Sequence, residues 1–300
     1  MISEEVAKEG IGDILDYLSR EKDLRDDFFI VIAKESKAED ILKIQTITER
    51  IPANALYNLL ETSGKVWGET VSINLRELLK MLTTPGKSPV LSGIEVSGDL
   101  KEGETKANTE TTDSPAGYNY LGLGVFKIDK LVGWLSEEEG KGYNYITDKI
   151  QNTVGHINCP SGGKMSIEVI RSKTKQRTKI NQNSEPEIEL DVRTEVNIGE
   201  VECSIDLENP NEISKLEKLM EDRITEVIKK TIDTVQTEYK TDIFGFGTTI
   251  YRSHPKLWNE IKENWEEQFA NLSVQANVQV SVRQLGIIGN SFKQDMKEQR

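Results

Sequence analysis

A long amphipathic helix is the sequence feature that most constrains the fold of this chain. After the helix-start signal Asn209-Pro210-Asn211, apolar residues recur at helical spacing as far as Tyr239. A helix of roughly seven turns extends over about 40 Å at about 1.5 Å per residue, and an apolar stripe of that length must be covered by other elements. The stripe consists of Ile213, Leu216, Met220, Ile224, Val227, Ile228, Ile232, Val235 and Tyr239.

Strands with one apolar face lie on both sides of this helix in the sequence. Apolar and polar residues alternate over Met165 to Val169, Ile188 to Val196 and Val274 to Val282, which is typical of half-buried strands. A shorter helix begins around Ser253-His254-Pro255, and its apolar side carries Leu257, Trp258, Ile261, Trp265 and Phe269. We interpret the two tryptophans as core residues rather than as a surface for a ligand or partner. The pattern predicts an α+β C-terminal domain, an antiparallel sheet packed against one long and one shorter helix.

The first hundred residues alternate between helical and strand-like patterns. We predict a helix over Ser3 to Arg20 and a fully buried strand over Phe28 to Ala33. Further helices are predicted over Ala38 to Ile44, Ala53 to Leu60 and Leu75 to Leu82, the last capped by Asn74, and a further strand over Val90 to Val96. The fold class is therefore α+β, a mixed α/β arrangement in several domains.

The length of 300 residues predicts more than one domain. Ser97 to Gly117 contains almost no apolar residue, which indicates an exposed loop or linker. Tyr118 to Phe126 has strand composition, and Asp129 to Ile150 carries helical clusters that glycines interrupt. The predicted domains are an N-terminal α/β domain (1–117), a small middle domain (118–164) and a C-terminal α+β domain (165–300).

The charge of the chain argues against a nucleic-acid-binding protein. The formal net charge is -13, with 51 acidic and 38 basic residues, so the field of the whole molecule repels polyanions. One basic stretch, Arg171 to Lys179, alternates in a way that favours a solvated strand or hairpin face.

Residues that could carry chemistry are few. The chain contains two histidines, His156 and His254, and neither has metal-site spacing; His254 precedes Pro255, as expected for a helix start. Glu137-Glu138-Glu139 is predicted to be a solvated helix edge or turn. The acidic residues do not single out a catalytic pair. We therefore predict a non-enzyme without catalytic, cofactor-binding or metal-ligating residues.

Two glycine pairs fall short of a phosphate-binding loop. Gly122-Leu123-Gly124 and Gly245-Phe246-Gly247 have Lys127 and Ile250 where the third glycine of that motif would stand. We interpret these glycines as turns or points of close backbone approach.

The two cysteines, Cys159 and Cys203, lack the spacing of a metal site. Ordinary buried thiols are the favoured interpretation, and a disulfide between them stays open.

Several motifs resemble the C-subunit lipoproteins of bacterial spore germinant receptors, the Ger(x)C family. The most specific is Asp242-Ile243-Phe244-Gly245-Phe246-Gly247, followed by the Trp258 and Trp265 helix, the Val274 to Val282 strand and Gly286-Ile287-Ile288-Gly289. Ile2 to Gly10 and Val125 to Leu135 are also similar to family segments. The signature residues are Phe244, Gly245, Phe246, Gly247, Trp258, Trp265, Gly286 and Gly289.

The resemblance implies a receptor subunit rather than an enzyme. Members of this family are lipid-anchored on the outer face of the spore inner membrane. There they work with integral-membrane A- and B-type subunits to trigger germination in response to nutrients. The resemblance carries no catalytic residue and no cofactor, so support of receptor assembly or signal relay is the expected role.

The beginning of the chain departs from the family pattern. Family members begin with a signal peptide that ends in a lipidated cysteine, whereas the first cysteine here is Cys159. We therefore expect that the signal and anchor region is missing and that the first domain is truncated. The chain as it stands is expected to be soluble, because no apolar stretch in it is long enough to cross a bilayer.

Two alternatives to an interaction subunit remain at the level of sequence. The aromatic content of Tyr118 to Tyr145 suggests a binding module for a nutrient or a peptidoglycan fragment. The abundant carboxylates leave a cell-wall hydrolase as the third hypothesis.

Overall fold

The chain folds into two compact units. The computed structural model describes residues 1–47, 49–159, 162–202 and 205–284. The first unit combines Met1–Gly64, Glu69–Gly140 and Ile232–Leu272, and the second combines Lys65–Gly68, Lys141–Thr231 and Ser273–Arg300. The predicted boundaries after residues 117 and 164 do not coincide with the limits of these units, and the three-domain division stays a prediction.

Strands and helices alternate along the described residues, in agreement with the predicted mixed class. The strands are β1 (Ile2–Ser3), β2 (Ile32–Ala33), β3 (Val90–Gly98), β4 (Ala116–Lys127), β5 (Lys130–Leu135), β6 (Thr153–Asn158), β7 (Lys164–Ile180), β8 (Pro186–Val201) and β9 (Ser273–Gln284). The helices are α1 (Glu4–Glu9), α2 (Gly12–Arg20), α3 (Ala38–Lys43), α4 (Pro52–Val66), α5 (Leu75–Thr83), α6 (Leu100–Gly103), α7 (Ala107–Glu110), α8 (Glu137–Ile146), α9 (Pro210–Thr234), α10 (Phe246–Ser253), α11 (Pro255–Ile261) and α12 (Trp265–Ala270). Within the described ranges, no helix is long and apolar enough to cross a membrane.

The first unit is built on a mixed five-stranded sheet in the order β1-β2-β3-β4-β5. The first two pairings are parallel and the last two are antiparallel. The run predicted as a strand from Phe28 is buried from Ile30 to Ala33, although only Ile32–Ala33 joins the sheet. A core cluster of this unit consists of Val31, Ala33, Ile41, Leu56, Leu60, Ile94 and Tyr120.

The predicted start of α5 at Asn74 is confirmed by a capping box. The Asn74 side-chain oxygen accepts a hydrogen bond from the Glu77 N–H at 2.8 Å, and the Glu77 carboxylate accepts one from the Asn74 N–H at 3.4 Å. This reciprocal pair satisfies two N–H groups that a helix terminus otherwise leaves without a partner.

The single helix predicted over Ser3 to Arg20 is wrong, because the helix is broken between α1 and α2. Gly10 adopts a φ of 134°, which residues with a side chain rarely adopt. The chain then turns towards Asp129: the Ile11 N–H donates to its carbonyl oxygen at 3.0 Å and the Gly12 N–H to its carboxylate at 3.1 Å. A contact with a residue distant in sequence therefore starts α2.

The loop predicted over Ser97 to Gly117 also differs from the structure. It contains α6 and α7, and β3 and β4 pair antiparallel across it. Asn108 is only 2% exposed, and its amide group exchanges two hydrogen bonds with the backbone of Ala116. The low apolar content of this segment was misleading, because a buried amide with satisfied hydrogen bonds holds it in place.

The apolar residues just after Asp129 have helical spacing, but the helix predicted from it is wrong for the first of them. Leu131, Val132, Trp134 and Leu135 belong to β5, which forms a hairpin with β4. The helix of this region begins only at Glu137. Over so short a run, apolar pairs are compatible with a helix or a strand, and pairing with β4 decides the outcome.

The second unit contains a four-stranded sheet in the order β6-β7-β8-β9. The pair β7/β8 is antiparallel, as predicted, and β6, a strand that the sequence did not predict, is antiparallel to β7, whereas β8 and β9 are parallel. A parallel pair needs a long connection, and the chain between these strands runs through α9 to α12. Alternation of residues predicted which face of β9 is apolar and could not predict its direction.

The long helix is confirmed as α9, continued by a π-helical turn over Val235–Tyr239. Leu216, Met220 and Ile228 of its apolar stripe are buried. Two glutamates of the same helix bind the outer edge of β9. Glu217 accepts from the Val282 N–H at 3.0 Å, and Glu221 accepts from the Val280 N–H at 3.2 Å.

Candidate functional site

The signature turn, Asp242 to Gly247, lies in the first unit between the π-helical end of α9 and the start of α10. The Asp242 carboxylate is buried inside it. One of its oxygens accepts hydrogen bonds from the N–H groups of Phe244, Gly245 and Phe246 at 3.0, 2.8 and 3.2 Å, and the other accepts from Gly247 at 2.7 Å. One side chain therefore fixes the backbone of the entire turn.

Burial sets the electrostatics of this turn. It raises the pKa of Asp242 to about 6, although the four N–H donors act in the opposite direction. The neighbouring Lys87 lies over Gly245, and burial lowers the pKa of its ammonium group, against the attraction of Asp242. The turn is thus buried and closed.

Glycine is required at Gly247 because two segments of backbone approach closely there. A Cβ atom at Gly247 would lie 2.7 Å from the Cα of Gly86 and 2.9 Å from the rings of both Trp258 and Trp265. Gly245 needs glycine for another reason, since its φ is 79°. The phosphate-loop reading is excluded by the burial of this turn.

The aromatic signature residues pack around the same point. The rings of Phe244 and Phe246 are 5.1 Å apart, and those of Trp258 and Trp265 meet edge to face at 5.2 Å. Both tryptophans are buried, which confirms their interpretation as core residues. The described signature residues thus form one packed cluster, while Gly286 and Gly289 lie outside the described residues.

The other residues considered for chemistry have structural positions. His254 ends α10 and precedes α11, with Nδ1 3.0 Å from the Ser253 hydroxyl, as expected for a helix start. His156 is exposed on β6. Gly122 lies within β4, where a Cβ would be 2.4 Å from the Leu135 carbonyl oxygen. No group of His, Cys, Asp and Glu in the described ranges could hold a metal ion.

Two expectations need correction. Glu139 is not solvated: it is buried at the start of α8, and its carboxylate accepts hydrogen bonds from the Ser136 N–H at 2.8 Å and the Thr234 hydroxyl at 2.7 Å. Cys159 is disulfide-bonded rather than an ordinary thiol. Cys203, the other cysteine, lies outside the described residues.

An exposed surface with a marked charge lies in the second unit. The basic stretch predicted to be a solvated strand face is the outward side of β7, where Arg171, Lys173, Lys175, Arg177 and Lys179 are all exposed. The neighbouring strands add cations from distant parts of the sequence, Arg193 on β8 and Arg283 on β9.

These strands form a concave surface with a volume of about 420 Å³, which we call the basic face. Cations outnumber carboxylates on it, in contrast to the negative charge of the whole chain. Its lining residues are Arg171, Lys173, Lys175, Arg177, Asp191, Arg193, Thr194, Glu195, Gln279, Ser281 and Arg283.

Part of the positive charge is neutralised within the sheet. Arg177 pairs with Asp191 at 2.9 Å, Arg283 pairs with Glu195 at 2.8 Å, and Lys173 pairs with Asp148. Among the described residues, the other cations of the basic face have no hydrogen-bonded or ion-paired partner. These are Arg171, Lys175 and Arg193.

One cross-strand pair of charged residues between β7 and β8 is unusual. Arg171, Lys175, Arg177 and Lys179 each lie opposite a carboxylate of β8: Glu195, Asp191, Glu189 and Glu187 respectively. Lys173 lies opposite Arg193 instead. Like charges directly across a pair of strands are destabilising. The sequence did not reveal this pair, because it becomes visible only once the register is known.

Two known protein families together match most of the chain. Residues 1–96 match the spore germination protein N-terminal domain, and residues 121–286 match the family described as spore germination B3/GerAC like, C-terminal. The second match covers more than half of the chain.

Individual proteins are similar over nearly the full length. Spore germination protein KC of Bacillus subtilis (strain 168) is 32% identical, over 99% of this chain and 74% of that protein. Spore germination protein B3 of the same strain is 25% identical, over 94% of this chain and 71% of that protein. The crystal structure of the GerBC protein has the same fold, with a TM-score of 0.69 and 21% identity, over 94% of this chain and 77% of that chain.

Proposed function

This chain belongs to the spore germination B3/GerAC-like family, and on that premise we propose that it is the C-type subunit of a spore germinant receptor that supports receptor assembly or signal relay. The observation that carries the proposal is the similarity to spore germination protein KC across almost the entire chain. The family is one of non-catalytic subunits, as the sequence predicted.

The proposed partners are the integral-membrane A- and B-type subunits of the receptor. The proposed location is the outer face of the spore inner membrane, with attachment through a lipid anchor as in the family that the sequence resembles. The disulfide at Cys159 supports an extracytoplasmic location, because disulfides persist in oxidising compartments. The exposed basic face supports a binding role, whereas the buried signature turn supports the fold.

The test is co-purification from membranes. The tagged chain, produced together with the A- and B-type subunits of one receptor, is expected to retain both subunits after detergent extraction. A tagged, lipid-anchored protein from outside the receptor is the control. Failure of the chain to retain either subunit, while A and B still associate with each other, would contradict the proposal.

Four of the six aromatic residues from Tyr118 to Tyr145 are buried, and Tyr118 and Trp134 are half-buried, so the alternative of a nutrient or peptidoglycan binding module loses most of its support. Tyr120, Tyr143 and Tyr145 are buried, so these rings are core residues rather than the lining of a ligand site.

A further inference from the structure

We propose that the basic face of the second unit binds an extended acidic segment of a protein partner. Carboxylates of that segment would meet Arg171, Lys175 and Arg193, the cations of the face that lack an ion pair among the described residues. The inference deepens the proposed function by naming a surface and its chemistry, and it rests on that function only for the origin of the partner.

The spacing of the cations fits an extended chain. Side chains on one face of a strand recur about every 6.6 Å, so the β7 cations of the basic face, from Arg171 to Arg177, form a row of about 20 Å. An extended segment with acidic residues at alternate positions has the same repeat. Such a segment can place one carboxylate after another along the row.

The centre of the face contains the strongest reason for a bound anion. Lys173 and Arg193 face each other there, and of these two cations only Lys173 pairs with the carboxylate of Asp148. A carboxylate placed at Arg193 would offset the repulsion that the sheet otherwise bears. Arrangements that reduce stability locally are expected where a binding site needs them.

The rest of the lining suits a polypeptide better than a sugar or a base. Gln279 and Ser281 of β9 line the face beside the cations, and both are exposed. Amide and hydroxyl groups can donate to and accept from peptide groups of an extended segment. None of the lining residues is aromatic, so the face offers no ring on which a base or sugar could stack.

A bilayer is a poorer occupant than a peptide. The face is concave, so a flat layer of headgroups would reach its rim before it reached Arg193 on the inner strand β8. The net charge of -13 also repels an anionic membrane as a whole. A narrow segment experiences mainly the local positive charge of the face.

The test measures binding of a synthetic peptide to the full chain by fluorescence anisotropy at low ionic strength. The probe is a fluorescein-labelled peptide of alternating glutamate and serine, and its glutamine counterpart is the uncharged control. We expect binding of the acidic peptide that weakens as salt is added, and at least tenfold weaker binding of the glutamine peptide.

Arg193→Glu is the decisive variant. It places a carboxylate opposite Lys173 and should weaken peptide binding at least tenfold while it leaves the melting temperature unchanged or higher. Arg50→Glu makes the same charge change at an exposed position of the first unit and should alter affinity less than twofold. Absence of binding by the wild-type chain, or equal binding by wild type and Arg193→Glu, overturns the proposal.

Two further measurements, vesicle binding and co-purification, separate the possible outcomes. Binding of phosphatidylglycerol vesicles that Arg193→Glu abolishes, without binding of the peptide, overturns the proposal in favour of a membrane surface. Co-purification separates this inference from the proposed function. If the chain co-purifies with the A- and B-type subunits but does not bind the peptide, the inference alone is refuted. If it binds the peptide but does not co-purify with the subunits, the receptor role alone is refuted.

Discussion

Asp242 is a single residue on which a complete turn depends. Its protonated form is favoured in the folded state, because burial raises its pKa from an ordinary 3.8 to about 6. The stabilisation from this group is therefore present below about pH 4 and is lost as the pH rises through about 6. At about 1.36 kcal/mol per pKa unit, the loss is roughly 3 kcal/mol.

Comparison with Asp242→Asn isolates this effect from the other carboxylates. The variant has no ionisable group at this position. Its amide nitrogen replaces one carboxylate oxygen that accepts an N–H, and the lost hydrogen bond should lower the free energy of unfolding by about 1–3 kcal/mol. Urea unfolding of both proteins between about pH 4 and 7 should show the stability advantage of wild type shrinking as the pH rises. An advantage that stays constant across this range would refute the assignment.

The close approach at Gly247 gives a second prediction at this scale. Gly247→Ala brings a methyl group within 2.7 Å of the Gly86 backbone, which cannot move aside as a flexible side chain can. We expect a destabilisation of at least about 2 kcal/mol, measured as a lower melting temperature. Gly117→Ala is the control, because its Cβ would meet only the Ser97 hydroxyl at 3.5 Å.

At the residue scale, the sequence revealed the motif and not the reason for it. The resemblance identified Phe244 to Gly247 as a signature, yet the carboxylate that holds them was not among the site residues. One signal was present, since an aspartate two residues before a turn often accepts hydrogen bonds from the backbone that follows it. The partner of Gly247 could not be predicted, because Gly86 is distant in sequence.

Among the elements, β9 is an edge strand, and two glutamates of helix α9 accept hydrogen bonds from N–H groups on its outer side. Removal of both contacts by Glu217→Ala with Glu221→Ala should leave two N–H groups of β9 without their acceptors. We expect lower thermal stability and self-association through the exposed edge, detected by sedimentation velocity.

The matched control is Lys215→Ala, which changes an exposed residue of the same helix whose ion pair is with Glu212. It should leave both the melting temperature and the sedimentation profile close to those of wild type. Self-association of the control to the same extent as the double variant would show that the edge contacts are not responsible.

Elements with long, regular patterns were predicted well, and those fixed by distant contacts were not. The stripe of α9 and the alternation of β9 were sufficient, because each pattern extends over many residues. The break after α1 depends on Asp129, and the parallel pairing of β9 depends on the path of the intervening chain. Neither cause lies within the element concerned.

The whole molecule is interleaved, because each compact unit is assembled from three stretches of sequence. A fragment that begins at residue 165, the predicted start of the C-terminal domain, therefore contains 232–272 without the remainder of the first unit. It also lacks β6. We expect this fragment to aggregate, since Phe244, Phe246 and Phe269 lose part of their covering.

Limited proteolysis and circular dichroism of the fragment, beside the full chain, provide the test. A soluble fragment that unfolds cooperatively would contradict this expectation and would support the three-domain division. Composition alone could not decide the matter, because it registers changes along the chain and does not register which distant stretches pack together.

The contact between Gly86 and Gly247 has a consequence for how the protein is made. More than half of the chain separates the two glycines, so during synthesis the first unit waits for its last segment until most of the second unit has emerged. The five strands of its sheet are all synthesised by Leu135, but the contact that completes the unit cannot form until Gly247 has emerged. A polypeptide with this order of completion suits a route in which folding is postponed until the chain has been delivered to its destination.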